Sequence, residues 1–188
     1  MMLFGRESNV GDNDNRLPEH EIRESAPGDL NAIEIIYRDA FPDEDLFPLV
    51  KALLEDDNGV FSLVATVGSA VVGHVAFTPC RVAGHLQSVV LLGPLAVAPD
   101  QQRKGIGTAL IRDGLQRLKD AGTSRVFVLG DPAYYGRHGF APETQVVPPY
   151  PLPEEWRAGW QSIALDETAL DGTLEVPAPW RRRALWLP

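Results

Sequence analysis

The stretch LAVAPDQQRKGIGTAL, Leu95 to Leu110, decides how the chain is read. It opens on the end of an apolar run, Leu95-Ala96-Val97, which Pro99 closes. A polar loop follows, Asp100 to Lys104, and Gly105 and Gly107 then stand where a helix begins. The first amides of a helix have no internal acceptors and point outward at the positive end of the macrodipole. Glycines at that point allow a close approach to the backbone. The result is an anion cradle suited to phosphate, with the charges of Arg103 and Lys104 beside it. A Walker A loop is excluded, because no G-x-x-x-x-G-K-[S/T] occurs. A dinucleotide site would use Gly105-x-Gly107-x-x-Leu110, with Asp131 as ribose partner. That fit is poor, since the third glycine is absent and polar residues separate the loop from its strand.

Upstream, Ser88 to Val97 is almost wholly apolar, as a strand buried on both faces would be. Before it, Val60–Val67 and Val71–Thr78 flank the turn Gly68-Ser69 and read as a β-hairpin. Earlier still, Leu30, Ile33, Ile36, Tyr37 and Ala40 recur at the helical period behind Pro27 and Asp29. A second helix is expected over Glu44–Leu54, and His20–Ser25 is a first strand. Downstream, Ile106, Leu110, Ile111, Leu115 and Leu118 make the buried stripe of a helix from Gly105 to Ala121, which Gly122 caps. Ser124–Leu129 is a strand again, 132–138 a short helix, and 160–165 a last strand after a proline-rich connection. The order predicts an α/β domain with a mixed sheet over residues 20–188. The polar segment 1–19 reads as a flexible tail.

Composition removes several function classes. The net charge of −9 argues against general nucleic-acid binding. Its distribution is uneven: residues 1–60 hold 15 acids and 5 bases (−10), and residues 101–140 hold 3 acids and 7 bases (+4). An anionic ligand belongs with the second stretch, and a cationic one would be drawn to the first. No run of roughly 18 apolar residues is present, so a membrane span is not expected, and the polar turn after Phe4 lacks the long apolar stretch of a secretory signal. The single cysteine, Cys80, can form neither an internal disulfide nor a cysteine-rich metal site. The four histidines make no metal-ligand pattern. A reducing cytoplasm is the simplest compartment. Hydrolase chemistry has no support, as no G-x-S-x-G occurs.

Gln102-Arg103-Lys104-Gly105-Ile106-Gly107 resembles the Q/R-x-x-G-x-G/A signature of the GNAT superfamily of N-acetyltransferases. The strand end Leu95-Ala96-Val97-x-Pro99 precedes it at the expected distance, and Tyr135-Gly136-Arg137-His138-Gly139-Phe140 resembles the family's Y-x-x-x-G-F element. The order of elements from about residue 20 to 140 also matches. The resemblance implies a mostly antiparallel central sheet with helices on both faces, and acetyl-CoA as co-substrate. It implies that the backbone from Arg103 through Gly105, Ile106, Gly107 and Thr108, with Gln102 and Lys104, holds the pyrophosphate. Leu95, Ala96 and Val97 would lie along the pantetheine arm, in a cleft where strand 91–97 splays from 124–129. Gly93 and Pro94 mark either that splay or a plain bulge.

The implied reaction is direct transfer of acetyl from sulfur to an amine. An amide of Leu95 or Val97 would face the developing oxyanion. Tyr135 matches the tyrosine that protonates the leaving sulfur, and Tyr134 is its substitute at the wrong spacing. The family's glutamate base is missing from Leu91–Leu95. His74 is then either a relay or a satisfied core histidine, His138 is expected to be exposed, and solvent can serve as base. The acceptor, a small-molecule or peptide amine, is expected near Asp39, Asp43, Glu44 and Asp45, with Trp156 and Trp160 closing the cleft or simply packing. A homodimer is compatible with this reading. A non-catalytic acyl-CoA-binding module on the same fold is the rival.

Overall fold

The computed structural model describes residues 20–56 and 59–186; the expected tail over 1–19 lies outside them. Nine strands follow in chain order: β1 His20–Glu24, β2 Phe61–Val67, β3 Ala70–Val82, β4 Val89–Val97, β5 Arg125–Leu129, β6 Ala141–Pro142, β7 Val146–Val147, β8 Trp160–Ala164 and β9 Gly172–Glu175. The helices are α1 Leu30–Ala40, α2 Phe47–Leu54, α3 Ile106–Asp120 and α4 Pro132–Tyr135. The sheet runs β1-β2-β3-β4-β5-β8-β6. β1 to β4 pair antiparallel in succession, and β4 and β5 pair parallel across the α3 crossover. This is the mixed, mostly antiparallel sheet the sequence called for.

Alternation along the strands sends apolar side chains to two cores. Val75, Phe77, Val90 and Leu92 meet Ile106, Leu110 and Ile111 of α3. On the opposite face, Ala76, Leu91 and Phe127 pack with α2 and the C-terminal tryptophans, and Val64 and Ala96 pack with α1. α2 has only eight residues, too few to hold a helix in water. Burying Leu49, Val50 and Leu53, each worth roughly 1.5–3 kcal/mol, keeps it in place.

β4 carries one extra residue. Val75 pairs with Leu95, but Phe77 pairs with Leu92, so between them one residue of β3, Ala76, faces two of β4, Gly93 and Pro94. The bulge falls at Gly93-Pro94. Gly93 has φ 134°, a backbone conformation closed to other side chains, and Pro94 has no N–H to give a ladder.

Three boundaries differ from expectation. α2 starts at Phe47 rather than Glu44, because Pro48 sits in the first turn, the one place where its missing N–H costs nothing. β3 runs on past Thr78 to Val82, held by β4 on one side and by β9 through Arg81↔Glu175 and Val82↔Leu174 on the other. The expected helix over 132–138 is α4 followed by a 3-10 turn, Gly136–His138.

Candidate active site

β4 delivers the chain to the cradle. After Val97 a 3-10 turn, Pro99–Gln101, leads to Gln102, whose Nε2 donates to the Val97 carbonyl at 3.1 Å and ties the loop to the strand end. Arg103 at φ 62° and Gly105 at φ 82° turn the backbone sharply into α3. The helix N-cap is Gly105, which has no side chain to accept from the first-turn amides. Those of Ile106, Gly107 and Thr108 therefore keep their donors for another acceptor. Lys104 Nζ lies 3.2 Å from Gln101 Oε1, and Arg103 is exposed. Ile106 contributes only backbone here, for its side chain is buried in the α3 core.

Gly107 has a second duty that the sequence did not reveal. A Cβ at this position would overlap the Tyr134 hydroxyl. Tyr134 thus stands over the first turn of α3, flanked by the His138 ring at 5.3 Å and the Arg137 guanidinium at 5.1 Å. It neighbours the glycine loop, whereas Tyr135 lines the apex pocket described below.

β5 pairs with β4 only at Val89, Val90 and Leu91. From Leu92 onward that edge of β4 has no strand beside it, so a V-shaped cleft opens between the two. On this stretch of β4 the side chains of Leu95 and Ala96 are buried, in the α3 and α1 layers respectively, and Val97 is half-buried. At the apex lies a small pocket lined by Leu91, Leu92 and Gly93 of β4, Leu129 of β5, Tyr135, and C-terminal residues including Trp180 and Trp186.

Tyr135 ends α4, which Asp131 caps by accepting from the Ala133 amide at 2.8 Å. Its ring lies directly on the backbone of Gly130, where any Cβ would collide with it, and meets Phe140 edge-on at 5.6 Å. The hydroxyl is buried and has no hydrogen-bond partner among the described residues. Burial, reinforced by Tyr134 and Asp131, pushes its pKa well above the ordinary tyrosine value. A buried hydroxyl without a partner costs about 1–3 kcal/mol, a cost that a ligand sulfur or oxygen would relieve.

The other candidates fall elsewhere. His74 is fully buried under α1, with Nδ1 3.0 Å from Tyr37 Oη and Nε2 without a partner among the described residues; it does not line the apex pocket. His138 is half-buried against Tyr134 rather than exposed. Asp39, Asp43, Glu44 and Asp45 are exposed, and none lines the pocket. Trp160 stacks on Phe127 at 5.5 Å and donates to the Val146 carbonyl, and Trp156 is buried. These two tryptophans pack; the pair at the pocket is Trp180 and Trp186, which carry no local motif. Among the described residues no cluster of His, Cys, Asp or Glu is placed to hold a metal, and no helix is long and apolar enough to cross a membrane.

Burial pushes the His74 pKa down to about 3, against the pull of the Asp29 carboxylate. Folded His74 stays neutral while the unfolded chain takes up a proton below about pH 6.5. Stability is therefore lost as pH falls from there, by up to about 1.4 kcal/mol per unit. Urea midpoints at pH 7 and pH 5 are expected to differ more for the wild type than for His74→Gln. An equal drop in both would remove His74 from the pH dependence.

The model of the acetyltransferase (GNAT) family matches residues 30–140, from the start of α1 through the Tyr135–Phe140 element. The chain belongs to this family. It is 40% identical over 146 residues to YjhQ of Escherichia coli K12, an uncharacterised N-acetyltransferase, covering 73% of this chain and 81% of that one. Its fold superimposes on the GNAT-family N-acetyltransferase YhbS of Escherichia coli, crystallised with CoA, at a TM-score of 0.77 and 29% identity over 92% of this chain and 97% of that one. A GNAT-family acetyltransferase of Brucella melitensis, crystallised with acetyl-CoA, aligns at a TM-score of 0.73 and 30% identity over 87% and 99% of the two chains. The GNAT match covers both the glycine loop and the tyrosine element.

Proposed function

We propose that the chain is an N-acetyltransferase that moves an acetyl group from acetyl-CoA directly to a primary amine. The observation that carries this reading is the Tyr135 hydroxyl, buried and without a partner among the described residues, at the apex of a cleft that leads towards an uncapped helix N-terminus. The residues suit the co-substrate. The amides from Arg103 to Thr108 would take the pyrophosphate, with Gln102 holding the loop and Lys104 adding charge. The free edge of β4 over Leu95, Ala96 and Val97 would take the amides of the pantetheine arm. That the YhbS and Brucella crystals hold CoA and acetyl-CoA supports the same assignment.

Acetyl-CoA supplies the acetyl group as a thioester with a thiol leaving group. An amide of the β4 edge, at Leu95 or Val97, is positioned by its strand to receive developing negative charge on oxygen. Tyr135 holds its proton at Oη at every pH of interest, because burial opposes the tyrosinate. It is thus a hydrogen donor to the leaving sulfur. β4 carries no carboxylate, so the acceptor amine loses its proton to water.

The missing carboxylate also fits a module that binds acyl-CoA without turnover. Release of free thiol from acetyl-CoA, followed across a panel of small amines, aminoglycosides, peptide N-termini and lysine peptides, separates the two. Turnover on any acceptor is expected. CoA binding with no thiol release across the panel would favour the non-catalytic reading.

A further inference from the structure

We propose that Trp180 sets the length of the acyl group the protein accepts, restricting it to short chains. The inference rests on the CoA reading of the cleft and deepens it. From Val97 back to Gly93 is four residues, about 13 Å of strand. A cofactor anchored at the cradle and laid along β4 therefore brings its thioester towards Tyr135 and the apex. Beyond the thioester lies the pocket between Leu91, Leu92, Leu129 and the C-terminal segment.

The pocket is apolar apart from the Tyr135 hydroxyl, with no charged side chain in its lining. An amine that arrives hydrated and partly cationic would lose its water there with nothing to replace it. A hydrocarbon tail loses nothing. The chemistry therefore points to the acyl chain as occupant, not the body of the acceptor.

The far wall is the indole of Trp180. Its Cη2 atom lies 3.9 Å from the point where a Cβ on Gly93 would stand, so the ring edge faces the β4 bulge. The ring and its backbone are each tied. The ring Nε1 donates to the buried Thr78 Oγ1 at 3.0 Å, and the Trp180 backbone carbonyl accepts from Trp186 Nε1 at 3.1 Å. Trp180 is 4% exposed and Trp186 1%, with their rings 6.1 Å apart, and Leu185 lines the same pocket. A wall tied this way cannot swing aside for a longer chain, and forcing extra methylenes into a packed site is penalised.

The test is calorimetric titration of CoA, acetyl-CoA, butyryl-CoA and hexanoyl-CoA, which needs no turnover. The wild type is expected to bind CoA and acetyl-CoA alike and hexanoyl-CoA roughly 10–100-fold more weakly. Trp180→Ala should erase that gap. Trp180→Phe, a smaller change for the fold to absorb, should admit butyryl-CoA and still disfavour hexanoyl-CoA. Equal affinities for all four ligands in the wild type, or a folded Trp180 variant with unchanged discrimination, would overturn the proposal while leaving the CoA site standing. A Trp180 variant that alters only KM for the amine would assign the pocket to the acceptor and likewise overturn it. Failure of all four ligands to bind would sink the CoA reading itself.

Discussion

Tyr135→Phe is expected to lower kcat by roughly 10²–10⁴-fold with little change in CoA affinity. Phenylalanine keeps the ring on Gly130 and against Phe140, so the packing survives and only the donor is lost. The variant should even gain slightly in stability, since it removes a buried hydroxyl with no partner among the described residues. A pH profile sharpens the test. Because burial pushes the Tyr135 pKa upward, the wild-type rate should show no falling limb from tyrosine ionisation below about pH 10. It should instead rise with pH as the acceptor amine deprotonates. Intact turnover in the variant would mean the sulfur departs unaided.

Gly107→Val is expected to weaken CoA binding by about 100-fold, the loss of about 3 kcal/mol from two charge-assisted amide contacts. A new Cβ first meets the Tyr134 hydroxyl, not the phosphate, so the single variant is ambiguous. Tyr134→Phe removes that hydroxyl and resolves the matter. If the cradle is the site, Gly107→Val still loses CoA in the Tyr134→Phe background, because the branched side chain stands over the amides. Full CoA affinity in that double variant would place the pyrophosphate elsewhere.

Most strands and helices up to Phe140 were legible because they are long enough to express a period; α4, with four residues, is not, and its end was misplaced. α1 and α3 repeat apolar residues at three and four, and β4 is apolar throughout. The glycine loop and the tyrosine element could be placed because their spacings are local. In the C-terminal third the strand expected at 160–165 is present as β8, but the rest could not be read. β6 and β7 have two residues each and β9 four, too short for alternation to register. Trp180 and Trp186 reach the pocket through contacts with Thr78 and with each other, and no spacing announces a partner 102 residues away. The charge split by itself locates no acceptor: Asp43, Glu44 and Asp45 are exposed, and none lines the apex pocket.

The extra residue in β4 has a consequence for how this gene can change. Before Gly93, even-numbered positions such as Val90 and Leu92 serve the α3 layer; after it the odd-numbered Leu95 does, and Ala96 serves α1. The strand is written in two reading frames, with the join at the site itself. Losing one codon there would merge the frames, turning a leucine-sized side chain towards α1 and an alanine-sized one towards α3. Point substitutions can drift along β4 one volume at a time, but its length is held fixed from both layers at once.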